Sequence, residues 1–120
     1  NSFILIESDA KPLRFLKIIK LINLKNVGLN YDIGNSAGKN YNFNLEKKYF
    51  KYVKNIHLKD KNKKEKSVSL GQGTADFKVI FKYLKRINYR GTFAMQAARS
   101  KKNQHLNEIN NNFKFLEKYL

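Results

Sequence analysis

Cysteine is absent from this 120-residue sequence, which excludes disulfides and thiolate chemistry and leaves the redox compartment open. No apolar run is long enough to span a bilayer, and no stretch has the pattern of a signal peptide. Neither a G-x-G-x-x-G nor a Walker A sequence occurs, so the phosphate loop that usually announces an open α/β sheet is missing. Acidic residues are few. Lys+Arg 25 against Asp+Glu 9 gives a net charge of +16, a balance that invites a nucleic-acid reading. The lysines are scattered, however, over most predicted helices and loops, as in Lys17, Lys20, Lys47, Lys48, Lys78, Lys82 and Lys114. Asparagine is abundant too, and a joint excess of Lys and Asn is what an AT-rich genome produces. The dense run over 59–66 reads as a solvated loop.

Hydrophobic residues make up 42% of the chain, enough for a packed core, so one globular domain over 1–120 is expected rather than disorder. The chain starts at Asn1 rather than Met and enters a strand almost at once, which leads us to expect a segment from the middle of a longer protein. The apolar run at 3–6 suits a buried strand. Pro12 follows where a first helical turn tolerates proline. Phe15, Ile18, Ile19 and Ile22 then recur at helical spacing, so a helix is predicted over 12–23. A second strand is predicted over 27–33, a loop from Gly34 to Gly38, a short helix marked by Leu45, Tyr49, Tyr52 and Val53, and a third strand over 55–58. A charged loop leads into Leu70-Gly-Gln-Gly-Thr74, whose glycines read as turn residues. Asp60 either pairs with Lys59 or begins that loop. Asp76 is placed to cap a third helix with the apolar face Phe77, Ile80, Phe81, Leu84 and Ile87. A turn over 88–91 feeds a fourth strand over 92–95. Leu106, Ile109, Phe113 and Leu116 mark a last helix, and His105 reads as a surface residue.

Strand and helix alternate throughout, which argues for a parallel sheet with right-handed crossovers. Each predicted strand ends in a polar side chain: Glu7, Asp32, His57 and Gln96. Parallel strands joined by helices carry their functional groups at that edge. A hard divalent cation takes oxygen and imidazole ligands and can polarise a carbonyl and an adjacent hydroxyl together, while a carboxylate reaches the neighbouring carbon-bound proton. Side chains alternate along a strand, so Lys59 shares the face of His57, and Asn30 lies beneath Asp32. A (β/α)8 barrel typically needs about 250 residues. Half of one fits this length better than an open sheet does.

Four segments, Tyr31-Asp-Ile-Gly-Asn35, His57-Leu-Lys-Asp60, Leu70-Gly-Gln-Gly-Thr-Ala-Asp-Phe77 and Ile87-Asn-Tyr-Arg-Gly91, together resemble the C-terminal half, strands five to eight, of the xylose isomerase-like TIM-barrel superfamily. That superfamily includes sugar phosphate isomerases and epimerases. The resemblance implies one divalent metal, manganese first, with magnesium, cobalt or zinc as alternatives. Its ligands would be Glu7, Asp32, His57 and the position of Gln96. It also implies a sugar or sugar phosphate substrate, proton transfer through an enediolate with Glu7 as catalytic base, and a cytoplasmic enzyme. Asn35, Lys59 and Arg99 would contact substrate. The superfamily pairs two glutamates as bases, whereas an amide at position 96 cannot act as one. A sugar-binding barrel without two-base chemistry is therefore the alternative. An apurinic-site endonuclease of the same superfamily ranks below both, because such enzymes use several zinc ions and this chain has only His57 and His105. No membrane or nucleic-acid partner is expected. The edge strands over 3–6 and 92–95 would lack partners in a half-barrel, so self-association is expected.

Overall fold

The structure, a computed structural model, describes residues 2–96, 98–100 and 103–120. Its main sheet has four parallel strands in the order β1 (Ile4–Ile6), β2 (Val27–Asp32), β3 (Val53–Leu58) and β6 (Thr92–Met95). The helices α1 (Pro12–Ile22), α4 (Phe77–Arg86) and α5 (His105–Glu117) accompany it, as the alternating pattern predicts. Among the described residues no helix is long and apolar enough to cross a membrane.

Local chemistry sets the helix limits. Pro12 occupies the first turn of α1, and Asn23, in the left-handed region at φ 43°, ends it. The carboxylate of Asp76 accepts the amide of Val79 at 3.0 Å, the N-cap that its position predicts for α4. Phe77, Ile80, Phe81 and Leu84 bury the inner stripe of α4, while Phe15 and Ile19 do so for α1. These side chains meet Leu29, Tyr31, Val53, Ile56 and Leu58 from the strands, with Ile33 just beyond β2, so the core lies on one face of the sheet.

Three stretches differ from the sequence-based expectation. The second strand stops at Asp32, and Ile33–Gly38 forms a helical turn, α2, instead of continuing as strand and loop. The cause is Asp32 itself, whose Oδ1 accepts the amide of Asn35 at 2.7 Å and caps that turn. The next helix is a single turn, α3 (Phe43–Glu46), followed by a 3-10 segment, Lys47–Tyr52, so Val53 begins a strand. Between β2 and β3 the pairing steps from Leu29↔Val53 to Asn30↔Asn55, a bulge at Lys54. That extra residue keeps Val53 on the core face with Leu29 and turns Asn55 and His57 to the opposite face. Finally, the charged run over 59–66 lies in a hairpin, β4 (Asp60–Lys61) with β5 (Ser67–Val68), rather than a featureless loop.

Asp60 neither pairs with Lys59 nor merely opens the loop. It is 1% exposed, and its carboxylate accepts the amides of Lys61 (2.9 Å), Gly71 (3.0 Å), Gly73 (2.8 Å) and Ala75 (3.1 Å). One side chain thus gathers the loop between the hairpin and α4. A Cβ at Gly73 would overlap Asp60 Oδ1 and the Lys61 carbonyl, so only glycine fits there.

A second buried carboxylate, unforeseen from sequence, is Glu46. Its oxygens accept hydroxyl hydrogen bonds from Ser36 (2.6 Å), Tyr49 (3.1 Å) and Tyr31 (3.0 Å). Burial pushes its carboxyl above the ordinary value of 4.5, and the three hydroxyl donors oppose that shift. Burial and the charge of Glu46 likewise hold the Tyr31 hydroxyl well above the usual tyrosine range. Because the folded-state value exceeds the unfolded one, the native state binds more protons in the window from 4.5 up to the raised value. Stability should therefore fall as pH rises through that window and level off above it. Urea midpoints measured across this range should show that slope in the wild type and a shallower one in Glu46→Gln. Identical slopes would contradict the account.

Candidate metal centre

On the sheet face opposite the core, polar side chains are stacked in layers. The lowest layer crosses all four strands. The hydroxyl of Thr92 donates to Asn55 Oδ1 (2.6 Å), Asn55 Nδ2 to Asn30 Oδ1 (2.6 Å), and Asn30 Nδ2 to Glu7 Oε2 (2.5 Å). The register Asn30↔Asn55↔Thr92 makes this chain possible. The middle layer pairs Asp32 with His57, whose neighbour on β6 is Ala94. Above it, Lys59 Nζ donates to Gln96 Oε1 at 3.1 Å.

Glu7, Asp32 and His57 converge. Each offers a ligand atom, and these atoms all lie within 4.8 Å of one another. His57 Nδ1 stands 3.3 Å from Glu7 Oε2 and 3.8 Å from Asp32 Oδ2. The site is graded in burial: the side chain of Asp32 is 2% exposed, that of His57 24% and that of Glu7 39%. Such a slope leaves Asp32 enclosed, His57 half-buried and the Glu7 carboxylate reachable from solvent. Asn35 belongs to the same group, since its Nδ2 donates to Glu7 Oε1 at 3.2 Å while its backbone amide caps onto Asp32.

The donor set fits a divalent cation on two counts. Two carboxylates and an imidazole are the ligand types that hard and borderline divalent ions take. In addition, Asp32 Oδ2 is buried and has no hydrogen-bond partner among the described residues. A buried anionic oxygen without a donor is costly, and a cation bound between Glu7, Asp32 and His57 would relieve it.

The remaining expected residues divide. Lys59 is in the site, with Nζ 3.7 Å from Asp32 Oδ2. Gln96 lies at the same edge, is exposed, and has its side-chain oxygen engaged by Lys59. Arg99 lines a separate groove with Met95, His105, Glu108 and Phe113. His105 is exposed at the start of α5, as expected, and takes no part in the cluster. A cleft of about 470 Å³ lies elsewhere, bordered by Tyr31, Ser36, Tyr41, Glu46, Lys63 and Asp76, and none of Glu7, Asp32, His57 or Lys59 lines it.

Sequence reasoning placed Asn30 beneath Asp32 without giving it a task. In the structure it reaches both Glu7 and His57, with Nδ2 3.0 Å from His57 Nδ1. Asn55 and Thr92 were missed altogether. The available signal was a polar residue on the strand's inward parity, Asn55 two residues before His57 and Thr92 two before Ala94.

None of the curated proteins compared matches the sequence, whereas solved structures do. A xylose isomerase domain protein from Planctomyces limnophilus superposes with a TM-score of 0.79 at 22% identity, over 98% of this chain and 45% of that one. The IOLI protein with a binding zinc atom gives 0.74 at 22% identity, over 90% and 44%. The 3-keto-D-glucoside 4-epimerase YcjR from E. coli gives 0.70 at 17% identity, over 90% and 40%. The chain therefore spans less than half the length of these neighbours, and its parallel β/α units correspond to part of a barrel. The family model described as xylose isomerase-like TIM barrel matches residues 7–119, and the chain belongs to that family.

Proposed function

We propose that Glu7, Asp32 and His57 hold one divalent cation, manganese in the first instance, and that the protein isomerises or epimerises a sugar or sugar phosphate. The observation that carries this reading is the convergence of three ligand-type side chains around a buried carboxylate oxygen that has no hydrogen-bond partner among the described residues. Family membership and the epimerase among the structural neighbours support it. When bound, the ion supplies electrostatic polarisation of a carbonyl and its neighbouring hydroxyl.

The protein's own groups would do the rest. Glu7 is the reachable carboxylate, held by Asn30 at one oxygen and Asn35 at the other, and it would take the carbon-bound proton and return it. Asn30 orients Glu7 and His57 together. Gln96 cannot accept a proton as a base, so the chemistry we infer uses one base, with Lys59 holding a substrate oxygen.

The test is exchange of the carbon-bound hydrogen of candidate sugars and sugar phosphates with deuterated water, in the presence of Mn2+. Glu7→Gln should slow exchange by about 10²–10⁴-fold, the usual loss on removing a general base, while Gln96→Glu should preserve it. Undiminished exchange in Glu7→Gln would remove the role assigned to that residue. A second reading, a barrel that binds a sugar derivative without turning it over, is favoured by one observation: the family's second base position holds Gln96, tied to Lys59. Metal binding without exchange on any tested sugar would select it.

A further inference from the structure

Lys59 is built into the metal centre more firmly than a surface lysine would be. Its side chain is 17% exposed, and its stem runs against Gly34 in the turn that follows Asp32. A Cβ at Gly34 would stand 2.7 Å from Lys59 Cγ and 3.0 Å from the Lys59 carbonyl carbon, so the missing side chain is what gives the stem its lane. At the end of that stem Nζ donates to Gln96 Oε1 at 3.1 Å and stands 3.7 Å from Asp32 Oδ2. The second distance is too long for a hydrogen bond yet within the range of an ion pair. Asp32 Oδ2 thus faces a cation without being consumed by it, which agrees with its lacking a hydrogen-bond partner.

We propose that Lys59 is a resident cation that sets the affinity of this centre for its divalent ion. The inference rests on the metal-binding reading given above. Without the ion, the ammonium offsets part of the charge of Asp32 from 3.7 Å, without donating a hydrogen bond to it. With the ion bound, two cations share Asp32 and repel one another, so the ion is held more loosely than two carboxylates and an imidazole would otherwise hold it. The neutral amide of Gln96 belongs to the same arrangement, because its oxygen serves the ammonium and leaves three side chains for the ion. Toward the ion, Lys59 acts as a positioning residue, through Asp32 and Gln96, whatever contact it makes with substrate.

The experiment is calorimetric titration of the purified protein with Mn2+, together with thermal melts with and without the ion. It compares wild type, Lys59→Met and Lys59→Gln, the last of which keeps a donor for Gln96. Both variants should bind Mn2+ about tenfold tighter or more, since a unit charge is removed within a few ångströms of the ion. Both should melt lower than wild type without Mn2+, so the stabilisation that Mn2+ brings should be larger. Variants that bind with wild-type or weaker affinity would overturn the proposal while leaving the metal reading intact. A wild type and variants that all fail to bind would overturn both. Binding that appears only in the variants would support it strongly. Acetylation of Lys59, followed by mass spectrometry in wild type, keeps the test independent of how the variants fold. Mn2+ should speed that acetylation by loosening the ammonium, and an unchanged or slower rate would count against the proposal.

Discussion

Asp60→Ala is expected to lower the free energy of unfolding by about 3 kcal/mol or more, the largest stability effect foreseen for this chain. Each amide bonded to a charged acceptor contributes about 1.5–3 kcal/mol, and partial solvation of the freed amides prevents simple addition. Four backbone amides lose their acceptor at once, those of Lys61, Gly71, Gly73 and Ala75. Asp60→Asn should recover only part of the loss, because one of the two accepting positions becomes a donor facing amides. A loss of this size is a large fraction of the total for an ordinary domain, about 5–15 kcal/mol. Urea denaturation of wild type and both variants is the check. Midpoints within error of one another would show that the loop over 71–75 does not depend on Asp60.

The largest effect on the centre itself is expected from Asp32→Asn. Asp32 does two separable things: Oδ1 caps α2 through the amide of Asn35, and Oδ2 faces His57 and Lys59. Asparagine is as good an N-cap as aspartate, so the fold should survive. The charge offered to the ion would be gone, and affinity for Mn2+ should fall by about 100-fold or more, since even partners that only orient ligands contribute 10–100-fold. The measured pair is the urea midpoint and the Mn2+ dissociation constant. Near-wild-type stability with lost metal binding fits the account, whereas loss of stability with intact binding would reverse the assignment of the two oxygens.

The sequence displays the positions of the strands and helices well, but not all of their burial. Phe3, Ile4 and Leu5 of the first strand run, Ile87 after α4, and Leu106, Ile109 and Phe113 of α5 are exposed, since their covering partners are not local in the chain. Phe77, Ile80, Phe81 and Leu84 face the core as their spacing predicts. The strand ends place Glu7, Asp32 and His57 together, since a parallel sheet aligns its carboxyl edges. What escaped depends on long-range partners. Glu46 looks like a surface residue of a charged helix until Tyr31, Ser36 and Tyr49 close over it. Asp60 stands in a lysine-rich run, and only the fold reveals that three of its four amide donors lie 11–15 residues further along the chain. The bulge at Lys54 shifts register by one residue with no proline or glycine in β3 to announce it, and only the fold shows that Gly28 of β2 packs against Lys54. Gln96 is legible as the odd member of the polar set, but its link to Lys59 requires the register of β3 against β6.

The central claim is that one divalent ion sits between Glu7, Asp32 and His57. Diffraction from crystals grown with Mn2+, collected where manganese scatters anomalously, tests it directly. The account predicts one anomalous peak at the carboxyl edge of the sheet, about 2.0–2.3 Å from a carboxylate oxygen of Glu7, one of Asp32 and a ring nitrogen of His57. A well-ordered crystal whose only manganese lies elsewhere, with those three side chains unligated, would contradict it.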